Sequence, residues 1–246
     1  MSEPQTHFGF RRIDMAEKTA RVKHVFASVA SRYDLMNDLM SGGLHRLWKD
    51  HFVRKIHAGS DAVLLDVAGG TGDIARRLHT RTGADVTILD INEAMLATGR
   101  GRMIDAAESG GLRWVCGNAE ALPLPDRSVD VYTVAFGLRN VTDIPQALKE
   151  AHRVLKPGGQ FLCLEFSHVT APLLKELYEL YSFQMIPRLG AWITKDAASY
   201  QYLVESIRMF PPPKTLVRML EDAGFSRVDY EPLSLGIVAI HRGWRV

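Results

Sequence analysis

The run Leu64-Leu65-Asp66-Val67 leads straight into Ala68-Gly69-Gly70-Thr71-Gly72-Asp73, and no other junction constrains the chain as much. A short, nearly continuous apolar run reads as a strand buried on both faces, and such strands belong to parallel sheets covered by helices. The glycines mark a turn where backbone can come close to a ligand. Helical spacing follows at once, so the start of that helix, residues 71–74, offers free N–H groups to an anion. A second strand, Val86-Thr87-Ile88-Leu89, ends in Asp90, 18 residues past Gly72. An acid at that place is positioned to accept hydrogen bonds from ribose hydroxyls at the carboxyl edge of the sheet.

Gly70-x-Gly72-x-x-Ala75 also fits the loose dinucleotide fingerprint, so glycine spacing alone leaves a nicotinamide open. The charges discriminate better. Asp66 closes the first strand and Asp73 follows the last glycine. Two carboxylates beside the loop repel a pyrophosphate and suit a ligand carrying an ammonium and a sulfonium. That description fits S-adenosylmethionine, with Asp66, Gly70, Thr71 and Asp90 as its contacts. A turn that merely joins strand to helix explains the glycines but not the position of Asp90.

At 246 residues the chain fits one large α/β domain, or one domain with an insertion. A net charge of +2 is too small for a nucleic-acid footprint. Cys116 and Cys163 both fall in expected buried strands and read as reduced core thiols of a cytosolic protein. His45, His51 and His57 recur at a spacing that does not align them on one helix face, and nothing resembles a metal site. The first ten residues lack the apolar run of a signal peptide, and no stretch approaches the length of a membrane-spanning helix. The expectation is a cytoplasmic protein that at most sits on the inner face of a membrane.

Residues 1–12 look like a loose tail. Val22, Val25, Phe26 and Val29 give one apolar helical face, and 33–40 and 44–56 look like two further helices, split by Ser41-Gly42-Gly43. Leu44, Leu47, Trp48 and Phe52 are expected to line the inner face of the latter. Residues 1–57 thus form a helical cap before a core spanning 58–246. Strands are expected at 62–67, 85–90, 112–116, 129–136, 160–166, 226–230 and 237–241. Helices are expected at 71–81, 92–107, 144–154 and 213–223, with Asn92 as a cap. Pro157-Gly158-Gly159 should break the chain before the fifth strand. The alternation means a mostly parallel sheet with helices on both faces, and the last two strands form an antiparallel pair at its edge. Residues 171–212, rich in aromatics, interrupt this rhythm as a helical insertion.

This layout resembles the class I, Rossmann-like methyltransferases with a seven-stranded sheet. Arg153-Val154-Leu155-Lys156-Pro157-Gly158-Gly159, before a strand ending Leu164-Glu165-Phe166-Ser167, looks like the post-core signature of that fold. Two runs are narrower: Tyr33-Asp34-Leu35-Met36-Asn37-Asp38 with Ser41-Gly42-Gly43-Leu44-His45-Arg46-Leu47-Trp48, and Phe136-Gly137-Leu138-Arg139-Asn140-Val141-Thr142-Asp143. With them the chain, from about Lys18 to its end, resembles the UbiE family of ubiquinone and menaquinone biosynthesis C-methyltransferases. The resemblance implies methylation of a ring carbon of a polyprenylated benzoquinol, a demethylmenaquinol, or both, at the expense of S-adenosyl-L-methionine. By position it implies cofactor contacts from Thr71, Asp90, Asn118 and Ala119. Where some members carry a serine before Phe-Gly-Leu-Arg-Asn, this chain has Ala135, so that hydroxyl contact is absent. Other enzymes of quinone synthesis are candidate partners.

A hydroquinol ring carbon becomes nucleophilic when a neighbouring hydroxyl loses its proton, and the methylated carbon must then lose its own. The site needs alignment, phenolate stabilisation and a proton acceptor. Arg139, always charged, is the candidate for phenolate stabilisation; the competing reading pairs it structurally with Asp143 or Glu150. Asn140 is a candidate to orient a substrate oxygen, and Tyr33 to cover the substrate. His45 and His168 qualify as proton acceptors by residue type alone. Glu165 reads as structural. Residues 173–193, with Leu177, Leu180, Tyr181, Met185, Ile186, Leu189 and Trp192, suit an apolar groove for a prenyl tail or a membrane-touching face. Lys175, Arg188 and Lys195 suit anionic lipid heads; a small helical cap with its own core is the blander reading. A methyltransferase acting on another small aromatic or lipid, a nicotinamide oxidoreductase, and a noncatalytic cofactor-binding protein stand as alternatives.

Overall fold

The computed structural model describes residues 5–29, 37–38, 41–167 and 197–246. Strands β3 (Leu64–Val67), β4 (Val86–Asp90), β5 (Leu112–Cys116), β6 (Val129–Ala135), β7 (Leu155–Phe166), β8 (Ser226–Leu233) and β9 (Val238–Trp244) form one seven-stranded sheet in the order β5-β4-β3-β6-β7-β9-β8. The first five pair in parallel, and β9 runs antiparallel to both β7 and β8. The order reverses between β3 and β6, so a crevice opens beyond their carboxyl ends, the usual ligand position in such sheets.

Helices cover both faces. On one lie α1 (Met15–Val29), α2 (His45–Arg54), α3 (Asp73–Thr82), α4 (Glu93–Asp105) and α6 (Ala197–Met209); on the other lie α5 (Ile144–Val154) and α7 (Pro213–Asp222). Alternation along the strands feeds both cores: Leu64 and Ile88 join the first, Leu65 and Leu89 the second. Asn92 caps α4, its Oδ1 accepting from the N–H groups of Ala94 and Met95, and Asp143 caps α5 by accepting from Gln146 N.

Four expectations require correction. The described part of the expected loose tail 1–12 is ordered: β1 (Gln5–Phe8) and β2 (Arg11–Asp14) form an antiparallel hairpin whose two-residue turn starts at Gly9, with φ +59°. The Phe8 ring stacks on Tyr202 at 4.1 Å, which anchors the hairpin to α6. Pro157-Gly158-Gly159 does not end a segment. It bulges from one continuous β7, Leu155 pairing with Val129 and Gln160 with Val131, while Gly158 and Gly159 bond to Arg245. Cys116 ends an edge strand and is exposed, unlike the buried Cys163. Leu44 and Leu47 point outward at 40% and 64% exposure, because Trp48, Phe52 and Val53 already fill the inner face of α2. Of the aromatic stretch 171–212, Tyr200, Tyr202 and Phe210 are buried core residues; the portion up to 196 lies outside the described residues.

Candidate functional site

A pocket of about 730 Å³, its mouth included, opens above the carboxyl ends of β3, β4 and β6 and is roofed by α1. Its floor carries two non-glycine residues with left-handed backbone, Ala68 (φ 52°) after β3 and Phe136 (φ 57°) after β6. Each such conformation costs on the order of 1–2 kcal/mol, and strain of this kind collects where a site demands it.

Asp90 holds the centre of one wall. Its Oδ2 accepts from Gly70 N at 2.9 Å and its Oδ1 from Asn92 N at 2.8 Å. The Gly70 contact needs the left-handed φ of +53° found there. Burial raises the Asp90 pKa, opposed by these N–H groups, that of Ile91, and the charge of Lys23. Three N–H groups leave one of its roughly four lone-pair sites open, so the carboxylate is still able to accept from a ribose hydroxyl. Asn118 and Ala119, after β5, line the same pocket, as do Ile91 and Met95. Apolar slot, carboxylate and amide edge fit an adenosine, and so fit S-adenosylmethionine.

The charge logic of the glycine turn is different from the sequence expectation. Asp73 does not line the pocket: Lys49 Nζ and Arg77 Nε both bond to it at 2.9 Å. Burial works against its ionisation, but these two cations hold the carboxyl at about 2. Asp66 does not line the pocket either. It lies beneath the turn, taking the Thr133 hydroxyl at 2.8 Å and the Ala75 N–H at the start of α3. Burial pushes its carboxyl up to about 7, Thr133 opposing and the charges of Asp73 and Asp90 adding. One helix-start N–H is thus engaged by the protein itself. Thr71 is also enclosed, its backbone pressed against α4, where a Cβ on Gly99 would stand 2.6 Å from Thr71 Cα.

Arg139 and Asn140 sit on a single 3-10 turn, Leu138–Asn140, yet face different spaces. Asn140 lines the cofactor pocket, and its Oδ1 accepts from the Tyr202 hydroxyl at 3.0 Å. Arg139 lines an adjoining cavity with Lys18 and Tyr202. Its partner is neither Asp143 nor Glu150 but Glu165, at 2.7 Å with side chains 3% and 1% exposed. Its Nη1 also donates to Phe136 O at 2.6 Å, and its Nε is buried with no hydrogen-bond partner among the described residues. Glu165 further accepts from the backbone N–H of Arg139 and Phe166. Tyr33 and His168 lie outside the described residues. His45 is buried and bonds Asp38 at 2.9 Å.

Sequence reasoning missed the roof. Thr19, Lys23 and Phe26 of α1 line the pocket, at the same helical spacing that had marked Val22 and Phe26 as a core face. Three contacts latch the helix: Lys18 Nζ to Val141 O at 2.9 Å, the Thr19 and Thr142 hydroxyls at 3.1 Å, and Asn92 Nδ2 to Lys23 O at 2.9 Å. Burial lowers the Lys18 amine to about 8, with Glu120 opposing.

Residues 14–245 match the ubiE/COQ5 methyltransferase family. The chain belongs to that family. It is 55% identical, over all of both sequences, to the ubiquinone/menaquinone biosynthesis C-methyltransferase UbiE of Rhodopseudomonas palustris strain HaA2. It is 50% identical to the mitochondrial 2-methoxy-6-polyprenyl-1,4-benzoquinol methylase of Mus musculus, over 98% of this chain and 85% of the mouse protein. Among solved structures, an S-adenosylmethionine-dependent methyltransferase of Thermotoga maritima, described as a possible histamine N-methyltransferase, superposes with a TM-score of 0.64 at 20% identity, covering 92% of this chain and all of that one. That likeness shows the Rossmann-like fold. As a member of the ubiE/COQ5 family the chain is an S-adenosylmethionine-dependent C-methyltransferase.

Proposed function

We propose that the enzyme methylates a ring carbon of a polyprenyl benzoquinol, a demethylmenaquinol, or both, in ubiquinone and menaquinone biosynthesis. The observation that carries this is 55% identity over the full length of a relative with that named activity, joined to a pocket whose Asp90 carboxylate is set for a ribose. Bound S-adenosylmethionine supplies an electrophilic methyl group.

Asp90 holds the ribose, and Asn118 and Ala119 border the adenine. Gly70 gives the close backbone approach. Asp66 and Thr71 act from beneath, fixing the turn. Asn140 presents its amide to the reaction space, with Tyr202 setting which edge it shows. Arg139 donates from its unpaired Nε to the quinol oxygen, lowering the cost of the phenolate, while Glu165 holds the guanidinium in place. Tyr33 closes over the substrate. Residues 1–57 act as a cap whose α1 shields the cofactor from water.

No helix among the described residues is long and apolar enough to cross a membrane. A polyprenyl tail costs roughly 0.8 kcal/mol per methylene to bring into water, so the enzyme meets its substrate at the bilayer surface, through 173–193. Purified protein, a radiolabelled methyl donor and a short-chain quinol kept reduced test the assignment. Label extracted with the quinol supports it; a protein that binds the donor but labels no quinol overturns it.

A further inference from the structure

The reaction proposed above requires a base for the ring proton, and His45 at the start of α2, with Asp38 ahead of that helix, has the right chemistry. His45 Nε2 stands 2.9 Å from Asp38 Oδ1, and Arg46 bonds the other oxygen of Asp38 at 2.9 Å. Burial alone would raise the Asp38 pKa, but the hydrogen bonds from His45 and Arg46 hold it below the usual carboxylate range. An ionised carboxylate only accepts, so Nε2 carries the hydrogen and Nδ1 of the neutral ring is a bare lone pair. That Nδ1 is buried and has no hydrogen-bond partner among the described residues.

Contacts of the residues one turn later on α2 locate the pair relative to the sheet. Two positions mark the level of the sheet's carboxyl end on α2. Lys49 bonds Asp73, just past the glycine turn, and the Trp48 ring lies 6.5 Å from Phe136 and 6.3 Å from Phe166, past β6 and at the end of β7. Phe136 also lines the cofactor pocket. The chain leaves α2 at Arg54 and enters the sheet at Leu64, the amino end of β3, so the start of the helix lies on the side of these carboxyl-end contacts. His45 precedes Lys49 by one turn, about 6 Å along the axis. It shares the buried face of Trp48, Lys49 and Phe52.

We propose that His45, oriented by Asp38, is the proton acceptor of the methylation. The C–H bond of the methylated ring carbon breaks, its electron pair returns to the ring, and the proton passes to Nδ1, directly or across one water. The Asp38 carboxylate balances the imidazolium, which returns the proton to solvent. Burial keeps the resting imidazole neutral and proton-accepting: it lowers the His45 pKa, as do the charges of Lys49 and Arg46, while Asp38 opposes them.

The inference rests on the proposed quinol methylation, and the test separates the two. In the cofactor-free protein, nitrogen-resolved NMR of the histidines should show His45 at pH 7 as the neutral Nε2–H form, and Asp38→Asn should change that tautomer balance. With a quinol deuterated at the acceptor carbon, His45→Asn should keep cofactor affinity, lose about 100-fold or more in turnover and show an enlarged isotope effect. Asp38→Asn, half-exposed and so tolerant of change, should lower turnover and move the acidic limb of the pH profile downward. Nδ1–H at pH 7, His45→Asn turnover within twofold of the parent, or an unmoved acidic limb in Asp38→Asn each overturns the proposal. Parent enzyme that methylates no quinol overturns instead the reaction on which it rests.

Discussion

The Arg139 guanidinium and the Glu165 carboxylate meet at 2.7 Å with both side chains almost wholly enclosed. Strand β7 thereby fixes the 3-10 turn after β6, and with it the wall shared by cofactor and reaction space. Removing one member of a buried pair strands the other charge. Arg139→Ala should therefore lose about 3–5 kcal/mol of unfolding free energy in urea titrations. Arg139→Met with Glu165→Met should recover most of that stability without recovering methyl transfer. Recovery of both would make the pair purely structural.

Tyr202 donates to Asn140 at 3.0 Å, and burial raises its pKa so that the hydroxyl stays protonated. Tyr202→Phe should leave cofactor affinity unchanged and cut kcat/KM for the quinol by about 2–10-fold, the worth of one hydrogen bond of about 0.5–1.5 kcal/mol. Steady-state kinetics beside donor calorimetry checks this. A loss of donor affinity alone would contradict it.

Asp90→Ala removes the acceptor of Gly70 N and Asn92 N together with the ribose contact. Hydrogen bonds to a charged group are worth about 1.5–3 kcal/mol each, so donor Kd should rise by at least about 10-fold. Asp90→Asn, which keeps one acceptor, should fall between the two.

These sites show what was legible in the sequence. Strands announced themselves as apolar runs, and the distance from Gly72 to Asp90 marked the pocket, because strand, turn and helix are local devices. Charge partnership is not local. Asp73 looked free beside the glycines, yet Lys49 reaches it from 24 residues away. Arg139 had acids nearby on its own helix side, yet parallel pairing of β6 and β7 brought Glu165 to it. The roof was misread because an apolar stripe on α1 serves a ligand and a core equally well, and the hairpin because its strands are only four residues each.

Asp66 gives a pH signature. Burial holds its carboxyl at about 7 in the folded protein against about 3.9 for an ordinary aspartate, so its favourable contribution is full below about pH 4 and disappears as pH rises through 7. Unfolding free energy of the parent relative to Asp66→Asn should fall over that window, by up to about 4 kcal/mol at 1.36 kcal/mol per unit. Thermal or urea unfolding of both proteins at pH 5 and pH 8 measures it. An equal difference at the two values would mean Asp66 stays ionised throughout.

The most direct test uses a donor with a ¹³C-labelled methyl group, a short-chain demethyl benzoquinol and naphthoquinol, and carbon NMR of the products under reducing and oxidising conditions. The labelled methyl should appear on an aromatic ring carbon of at least one quinol, and only while the ring is kept reduced. Label on a hydroxyl oxygen as a methoxy group, or equal labelling of the oxidised quinone, would contradict it.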